Sequence, residues 1–243
     1  MNTTNLINLT QAEAATPIYR VFPVFRFLEL LDTKQNALLR PEKWDDPFEN
    51  LILKGIAQTA GGQTAQWGFK NDLFGQCWSL EIESDALWRI YSPQKDGVKV
   101  RTTIEKLFNS LYNASGSTRD ISCFIGKVEY LVKKSLQQWL GSVNPLDSTG
   151  RGAAETLYVK RAAFRYEKEV RLVYFDHSNQ PKSDIHLYST TPNSTFEECV
   201  LDPRMDERIA NAYKDAIKKR KFSGKVVQSS LYKEPQPVVT KLP

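Results

Sequence analysis

The run Tyr166-Glu167-Lys168-Glu169-Val170-Arg171-Leu172-Val173-Tyr174-Phe175 constrains this chain more than any other stretch. Its β-branched and aromatic content predicts a buried strand over Val170–Phe175. In an extended chain, residues i and i+2 point to one face. Glu167 and Glu169 are therefore expected to project together with Arg171, while Val170, Leu172 and Tyr174 line the opposite side. Two carboxylates and a guanidinium on one face of a core strand form either a solvent-facing row of ion pairs or part of a site, and this fragment alone allows both.

The rest of the chain sets the size of the core around that strand. Its 243 residues, 41% hydrophobic and 11% aromatic, suffice for one large domain and are not the composition of a disordered chain. The apolar runs, such as Phe27–Leu31 and Ile121–Val132, are too short or too interrupted to span a bilayer, and the polar start lacks the pattern of a secretory signal. Three scattered cysteines (Cys77, Cys123, Cys199) make neither a disulfide framework nor a metal cluster, and two histidines (His177, His186) argue against a histidine-rich metal site. A cytoplasmic protein without a membrane segment is expected. The net charge of +5 is uneven: Lys214, Lys218, Lys219, Arg220, Lys221 and Lys225 crowd the C-terminal part. The cluster is either a nucleic-acid contact or the solvated end of a helix whose dipole favours cations, and the helix signals account for most of it.

Residues 1–16 read as a flexible polar lead-in, 17–234 as a single α+β domain and 235–243 as a frayed tail. The domain is expected to hold a mixed, mostly antiparallel sheet carrying short helices. Strands are predicted at Ile18–Phe22, Ala37–Arg40, Gln76–Leu80, Gly97–Thr102, Ile121–Val132, Val170–Phe175, Ile185–Tyr188, Glu198–Leu201 and Lys225–Leu231. A first helix would bury Phe25, Leu28 and Leu31. Ser84 and Thr102 or Thr103 are expected to cap the next two helices, and residues 153–165 read as helical. Asp202-Pro203 looks like the start of a last helix that buries Met205, Ile209, Ala212, Ala216 and Ile217 and stops at Gly224.

Four constellations could carry chemistry. Tyr19-Arg20 sets a planar guanidinium on the opening strand, suited to phosphate or carboxylate unless it is an edge-strand surface residue. Trp44-Asp45-Asp46-Pro47-Phe48-Glu49 brackets three acids with aromatics, either as a pocket wall or as an Asx turn before proline. Gln76-Cys77-Trp78-Ser79 places a hydroxyl at the end of a core strand, and Trp88 and Tyr91 share one helical face that could stack on a planar ring or pack the core. Cys77 reads as a small buried hydrophobe. The glutamate pair could stabilise an oxocarbenium-like state.

In their order, Tyr19-Arg20, Arg40-Pro41 leading to Asp-Pro-Phe-Glu, Cys-Trp-Ser with Leu-Trp-x-x-Tyr, Gly97-Val98, Tyr-Glu-Lys-Glu-Val-Arg-Leu and Leu201-Asp202-Pro203-Arg204 resemble the bacterial family known as domain of unknown function 2971, over residues 18–232. A more distant resemblance is to ADP-ribosyltransferases, both the arginine–serine–glutamate class and the DNA-modifying DarT type. That likeness rests on Arg20, Ser79 and Glu169 in this order, with Glu167 supplying a Glu-x-Glu spacing; Leu80-Glu81 after Ser79 departs from the common Ser-Thr-Ser pattern. The resemblance implies NAD as substrate. It implies that Arg20 grips the ribose or phosphate, Ser79 holds the nicotinamide ribose region, Glu169 steadies the oxocarbenium ion and Glu167 positions or deprotonates the acceptor. Tyr19, Trp88, Tyr91 and Arg40 are the further candidates for NAD contact. The implied activity is ADP-ribosyl transfer to a nucleic acid or protein in bacterial conflict or phage defence. The competing expectation is a non-enzymatic module that binds a nucleotide or a partner in the same pocket.

Overall fold

The computed structural model describes residues 2–44, 53, 55–58, 61–178 and 183–234. The acidic loop from Asp45 to Glu49 and the expected tail from Pro235 lie outside the described residues. In chain order the strands are β1 (Leu6–Ile7), β2 (Pro17–Pro23), β3 (Gln35–Leu39), β4 (Ile56–Gln58), β5 (Thr64–Gln66), β6 (Leu73–Ser79), β7 (Gly97–Thr103), β8 (Cys123–Lys127), β9 (Glu129–Leu131), β10 (Val159–Arg161), β11 (Glu169–Phe175), β12 (Ile185–Ser189), β13 (Glu198–Leu201) and β14 (Lys225–Gln228). The main sheet of ten strands follows the order β1-β8-β11-β6-β2-β7-β13-β14, with β3 attached to β6 and β12 to β3. Only β1–β8 and β13–β14 pair in parallel within it; its other pairings are antiparallel. The class is the mixed, mostly antiparallel α+β arrangement that the strand pattern implies.

One detail of pairing shapes the whole molecule. Along one edge β6 pairs with β11 at every residue from Leu73 to Ser79. Along the other edge it meets two different strands, each at a single position: β3 through Leu39–Gly75 and β2 through Tyr19–Ser79. Between those two pairs the sheet diverges beside Gln76, Cys77 and Trp78. The Gln76 side chain helps hold β3 at this point, donating to Asn36 Oδ1 at 3.0 Å and to the Ala37 carbonyl at 2.9 Å.

Alternation along β11 places Val170 and Leu172 in the larger apolar core, with Ile18, Phe27, Leu38, Leu107 and Phe108. Val173 joins a second cluster on the opposite face with Ile7, Phe69, Phe124 and Tyr158. Covering both faces explains why β11 reads as a nearly continuous apolar run.

Several local expectations change for identifiable reasons. The stretch read as a flexible lead-in contains β1, whose Leu6 and Ile7 are buried. Asn5 fixes it there by donating to the carbonyls of Asp120 and Cys123 at 2.8 and 2.7 Å. The first helix, Val24–Thr33, buries Val24, Phe27, Leu30 and Leu31, while Phe25 is 54% exposed. Its phase is set where it leaves β2, with the Val24 amide bonded to the Asp96 carbonyl. The run Ile121–Val132 breaks at Val128, so that β8 stays in the main sheet while β9 pairs in parallel with β10. Residues 153–165 are not one helix: a short helix at Arg151–Glu155 gives way to β10 and then to a 3-10 turn at Ala162–Glu167. Asp202 does not start the last helix. Its fully buried carboxylate accepts from the Ser92 hydroxyl at 2.6 Å and from Arg204 Nη2 at 2.7 Å. Asp206 instead caps the Glu207–Lys219 helix through the amides of Arg208 and Ile209. That helix buries Ala210 and Ile217 and leaves Ile209 52% exposed. Ser84 and Thr103 cap their helices as expected, accepting from the amides of Leu87 and Lys106.

Candidate functional site

A cavity of about 480 Å³ opens where the sheet diverges, a size within the range of small-molecule and cofactor sites. Its walls come from β2, β6, the Asp85–Tyr91 helix, β10, the 3-10 turn Ala162–Glu167 and the first residue of β11. Tyr19, Arg20, Ser79, Trp88, Tyr91, Glu167 and Glu169 all line it. Arg40 is not among the lining residues; its guanidinium lies 3.7 Å from the Asp184 carboxylate.

Glu167 and Glu169 converge, but not as two residues of one strand. Glu167 ends the 3-10 turn, Lys168 adopts a left-handed conformation (φ 43°), and β11 begins at Glu169. The end of β6 pins this turn. Ser79 Oγ donates to the Glu167 carbonyl at 2.6 Å and accepts from the Glu81 amide at 3.0 Å, and the Leu80 amide donates to the Lys168 carbonyl. Ser79, expected as a ligand contact, therefore also fixes the backbone that carries Glu167.

The acids are buried, with Glu167 and Glu169 each 5% exposed, so the row of charges is not a solvent-facing one. Lys160 on β10 sits between them, bonded to Glu167 Oε2 and, at 2.8 Å, to Glu169 Oε1. Glu169 Oε2 accepts from Arg171 Nε at 2.7 Å. Arg171 is fully buried; its Nη1 donates to the Leu157 carbonyl at 2.6 Å and its guanidinium lies 4.6 Å from the centre of the Trp44 ring. Burial, reinforced by the hydrogen bond and charge of Glu169, holds Glu167 above the usual carboxylate range. Burial would raise Glu169 too, but Arg171, the hydrogen bond from Glu167 and Lys160 outweigh it and hold Glu169 below that range. The pair thus divides: Glu167 is pushed up to about 7 and exchanges its proton near neutral pH, while Glu169 stays ionised.

Arg20 presents the opposite situation. Desolvation is the largest influence on its guanidinium and pushes its pKa down. Among the described residues it makes no hydrogen bond or ion pair, and its one close partner is the Phe22 ring, 5.2 Å away. A desolvated guanidinium on a cavity wall without a counter-ion favours an anionic ligand, because a carboxylate or phosphate would restore the bonds lost from water. Trp88 is buried at 1% exposure with its indole nitrogen 3.3 Å from Glu83 Oε1, whereas Tyr91 is 38% exposed and its hydroxyl is 3.5 Å from Glu167 Oε1. Tyr91 therefore offers the more accessible ring.

Sequence reasoning missed Lys160, Lys99 and the cavity-facing position of Cys77. Lys160 was hidden by reading its segment as helix, although Tyr158-Val159 before it are strand-forming residues. Lys99, in the alternating run Val98-Lys99-Val100, is a buried lysine that donates to the Ile82 carbonyl at 2.6 Å and lies 3.6 Å from Glu83. An inward lysine on a central strand was itself a signal. Among the described residues no cluster of histidine, cysteine, aspartate or glutamate could hold a metal ion, and no helix is long and apolar enough to cross a membrane.

Comparison with known proteins gives limited company. No curated protein matches the chain. Solved structures of DarT from Thermus sp. 2.9 are similar at 12% identity. The complex with NAD+ covers 88% of this chain and 96% of its own, with a TM-score of 0.41. The complex with carba-NAD+ covers 88% and 95%, with a TM-score of 0.38. The complex with ADP-ribosylated ssDNA covers 88% and 94%, with a TM-score of 0.41. From the helix bearing Trp88 and Tyr91 to the strand bearing Glu169 and Arg171, residues 87–172 match the family described as protein of unknown function (DUF2971).

Proposed function

We propose that the cavity binds NAD and that the protein is an ADP-ribosyltransferase-like enzyme acting on a nucleic acid or protein, with the role in bacterial conflict or phage defence that the family resemblance implies. The observation that carries this reading is convergence: Arg20 from β2, Ser79 from β6 and the glutamate pair at the start of β11 wall one cavity. In this reading Arg20 pairs with a phosphate of the dinucleotide, and the exposed ring of Tyr91 stacks on a base or on nicotinamide. The bond between ribose C1′ and the nicotinamide nitrogen breaks, and its electron pair leaves with neutral nicotinamide. Glu169 faces the positive charge that develops on the ribose. An acceptor oxygen or nitrogen then bonds to C1′, and its proton passes to Glu167 in its ionised form.

The test is release of nicotinamide from NAD by the purified protein, together with a thermal shift on adding NAD compared with ATP. Turnover that falls about 100- to 1,000-fold in Glu169→Gln, with the NAD thermal shift retained, supports the reading. Absence of both turnover and NAD-specific stabilisation in the wild type overturns it. One observation favours a second reading, a non-enzymatic nucleotide- or partner-binding module: both oxygens of Glu169 already face cations, Lys160 and Arg171. A binding module predicts an NAD or nucleotide shift without turnover, and ligand affinity unchanged by Glu169→Gln.

A further inference from the structure

Lys160 belongs to no motif that the sequence singled out, yet it sits at the centre of the charged cluster on the cavity wall. It stands on β10, in the two-stranded β9–β10 sheet outside the main sheet. It is 5% exposed, lines the cavity and reaches across to both glutamates. The two carboxylates are not equivalent around it. Glu169 has Oε1 on Lys160 and Oε2 on Arg171, and its own amide donates to the Tyr130 hydroxyl at 2.8 Å. Every part of that residue is tied. Glu167 has Oε2 on Lys160, while Oε1 takes the long 3.5 Å approach of the Tyr91 hydroxyl.

We propose that Lys160 is the positioning residue of this site: by bridging the two glutamates it makes Glu169 the fixed anion and leaves Glu167 Oε1 as the oxygen that exchanges a proton with a ligand or acceptor. The inference rests on the reading of the cavity as an NAD site only for its catalytic consequence; the division of roles follows from the bridge itself. The charged and titratable groups that face Glu167 are Lys160 on β10, Glu169 at the start of β11, Tyr91 on the Asp85–Tyr91 helix, Tyr130 on β9 and Tyr166 on the same turn. Within that set Lys160 supplies the positive charge that draws Glu167 down. Without its ammonium, two adjacent carboxylates face each other, and the second proton of the pair is held to higher pH.

The experiment follows the titration of the full-length protein labelled with 13C at the glutamate carboxyl carbons, in wild type, Lys160→Met and Lys160→Arg, with Glu167→Gln to assign the resonance. In wild type one glutamate titrates above the ordinary range. Lys160→Met moves that titration up by about one pH unit or more, and Lys160→Arg returns it towards the wild-type position. If Lys160→Met fails to fold, the double variant Lys160→Met/Glu167→Gln, which removes one charge of each sign, refolds and still shows Glu169 ionised beside Arg171. In parallel, Lys160→Met lowers kcat for NAD turnover at least tenfold with KM changed less than threefold, and its pH profile moves with the titration. An unmoved titration in a folded Lys160→Met overturns the inference, as does a double variant that stays unfolded. A wild type that shows the titration behaviour but no turnover of NAD would refute the proposed activity and leave the role of Lys160 standing.

Discussion

At the scale of single residues, Arg20 and the glutamate pair pull stability and ligand binding in opposite directions. The Arg20 guanidinium is desolvated with no counter-ion among the described residues, so the folded protein carries a cost that an anionic ligand relieves. Arg20→Met is expected to leave the urea midpoint unchanged or raised, while the affinity for NAD falls about 10- to 100-fold, the loss of one charge-assisted bond. Isothermal titration alongside urea unfolding checks both halves. A destabilised variant with intact affinity would contradict the argument. The pH dependence of stability follows from Glu167, whose carboxyl lies above its ordinary value of 4.5 in the folded state. Between those two values the native state binds more protons than the unfolded chain. The contribution of Glu167 is therefore full below the unfolded value and is lost as pH rises through the folded one. Glu169, lowered in the folded state, behaves oppositely and loses its contribution only at the acid end. Urea unfolding between about pH 5 and about pH 8 should show stability declining with pH, and Glu167→Gln, which imitates the protonated form, should flatten that decline.

At the scale of elements, the short N-terminal strand β1 has an influence out of proportion to its length. Deleting residues 1–8 removes two buried aliphatic side chains and the Asn5 bonds to the chain around β8. It should lower stability by about 3 kcal/mol or more in urea unfolding. Gly126→Ala should act on the same junction, because its added methyl would meet the Ile7 carbonyl at 2.3 Å and the Tyr158 ring at 2.8 Å. A truncated protein as stable as the full chain would show that β1 is an ornament of the sheet. The sequence concealed this strand because its cue is two apolar residues, Leu6 and Ile7, among polar ones. Their burial depends on β8, more than a hundred residues away, and no local pattern carries that information. The same holds for β10, where a parallel partner at β9 overrode the helical propensity of its flanks. β11 was legible because burial on both faces writes itself into an apolar run, and β7 because apolar and polar residues alternate along it.

At the scale of the whole molecule, the position of the cavity depends on the divergence of β3 and β2 from β6, which no motif announces. The residues that wall it were largely legible: Arg20, Ser79, Glu167 and Glu169 were singled out from their chemistry and order, and the fold brings them to one place. Arg40 is not among the lining residues, and its guanidinium lies near Asp184. Lys160 was invisible since its meaning lies in a contact across elements. If the cavity is the ligand site, amide exchange at Gln76–Trp78 and at Arg20–Phe22 should slow several-fold with NAD bound, while exchange in β13 and β14 stays unchanged. Uniform slowing, or none, would place the ligand elsewhere.

The single residue pairs at Leu39–Gly75 and Tyr19–Ser79 make the sheet a fork with β6 as its stem. A guest lodged between the tines acts as a splint across two limbs that otherwise share one short hinge line. Its binding strength then includes the stiffness it lends to both, and substitutions in either limb, far from any contact with the guest, will tune how tightly it is held.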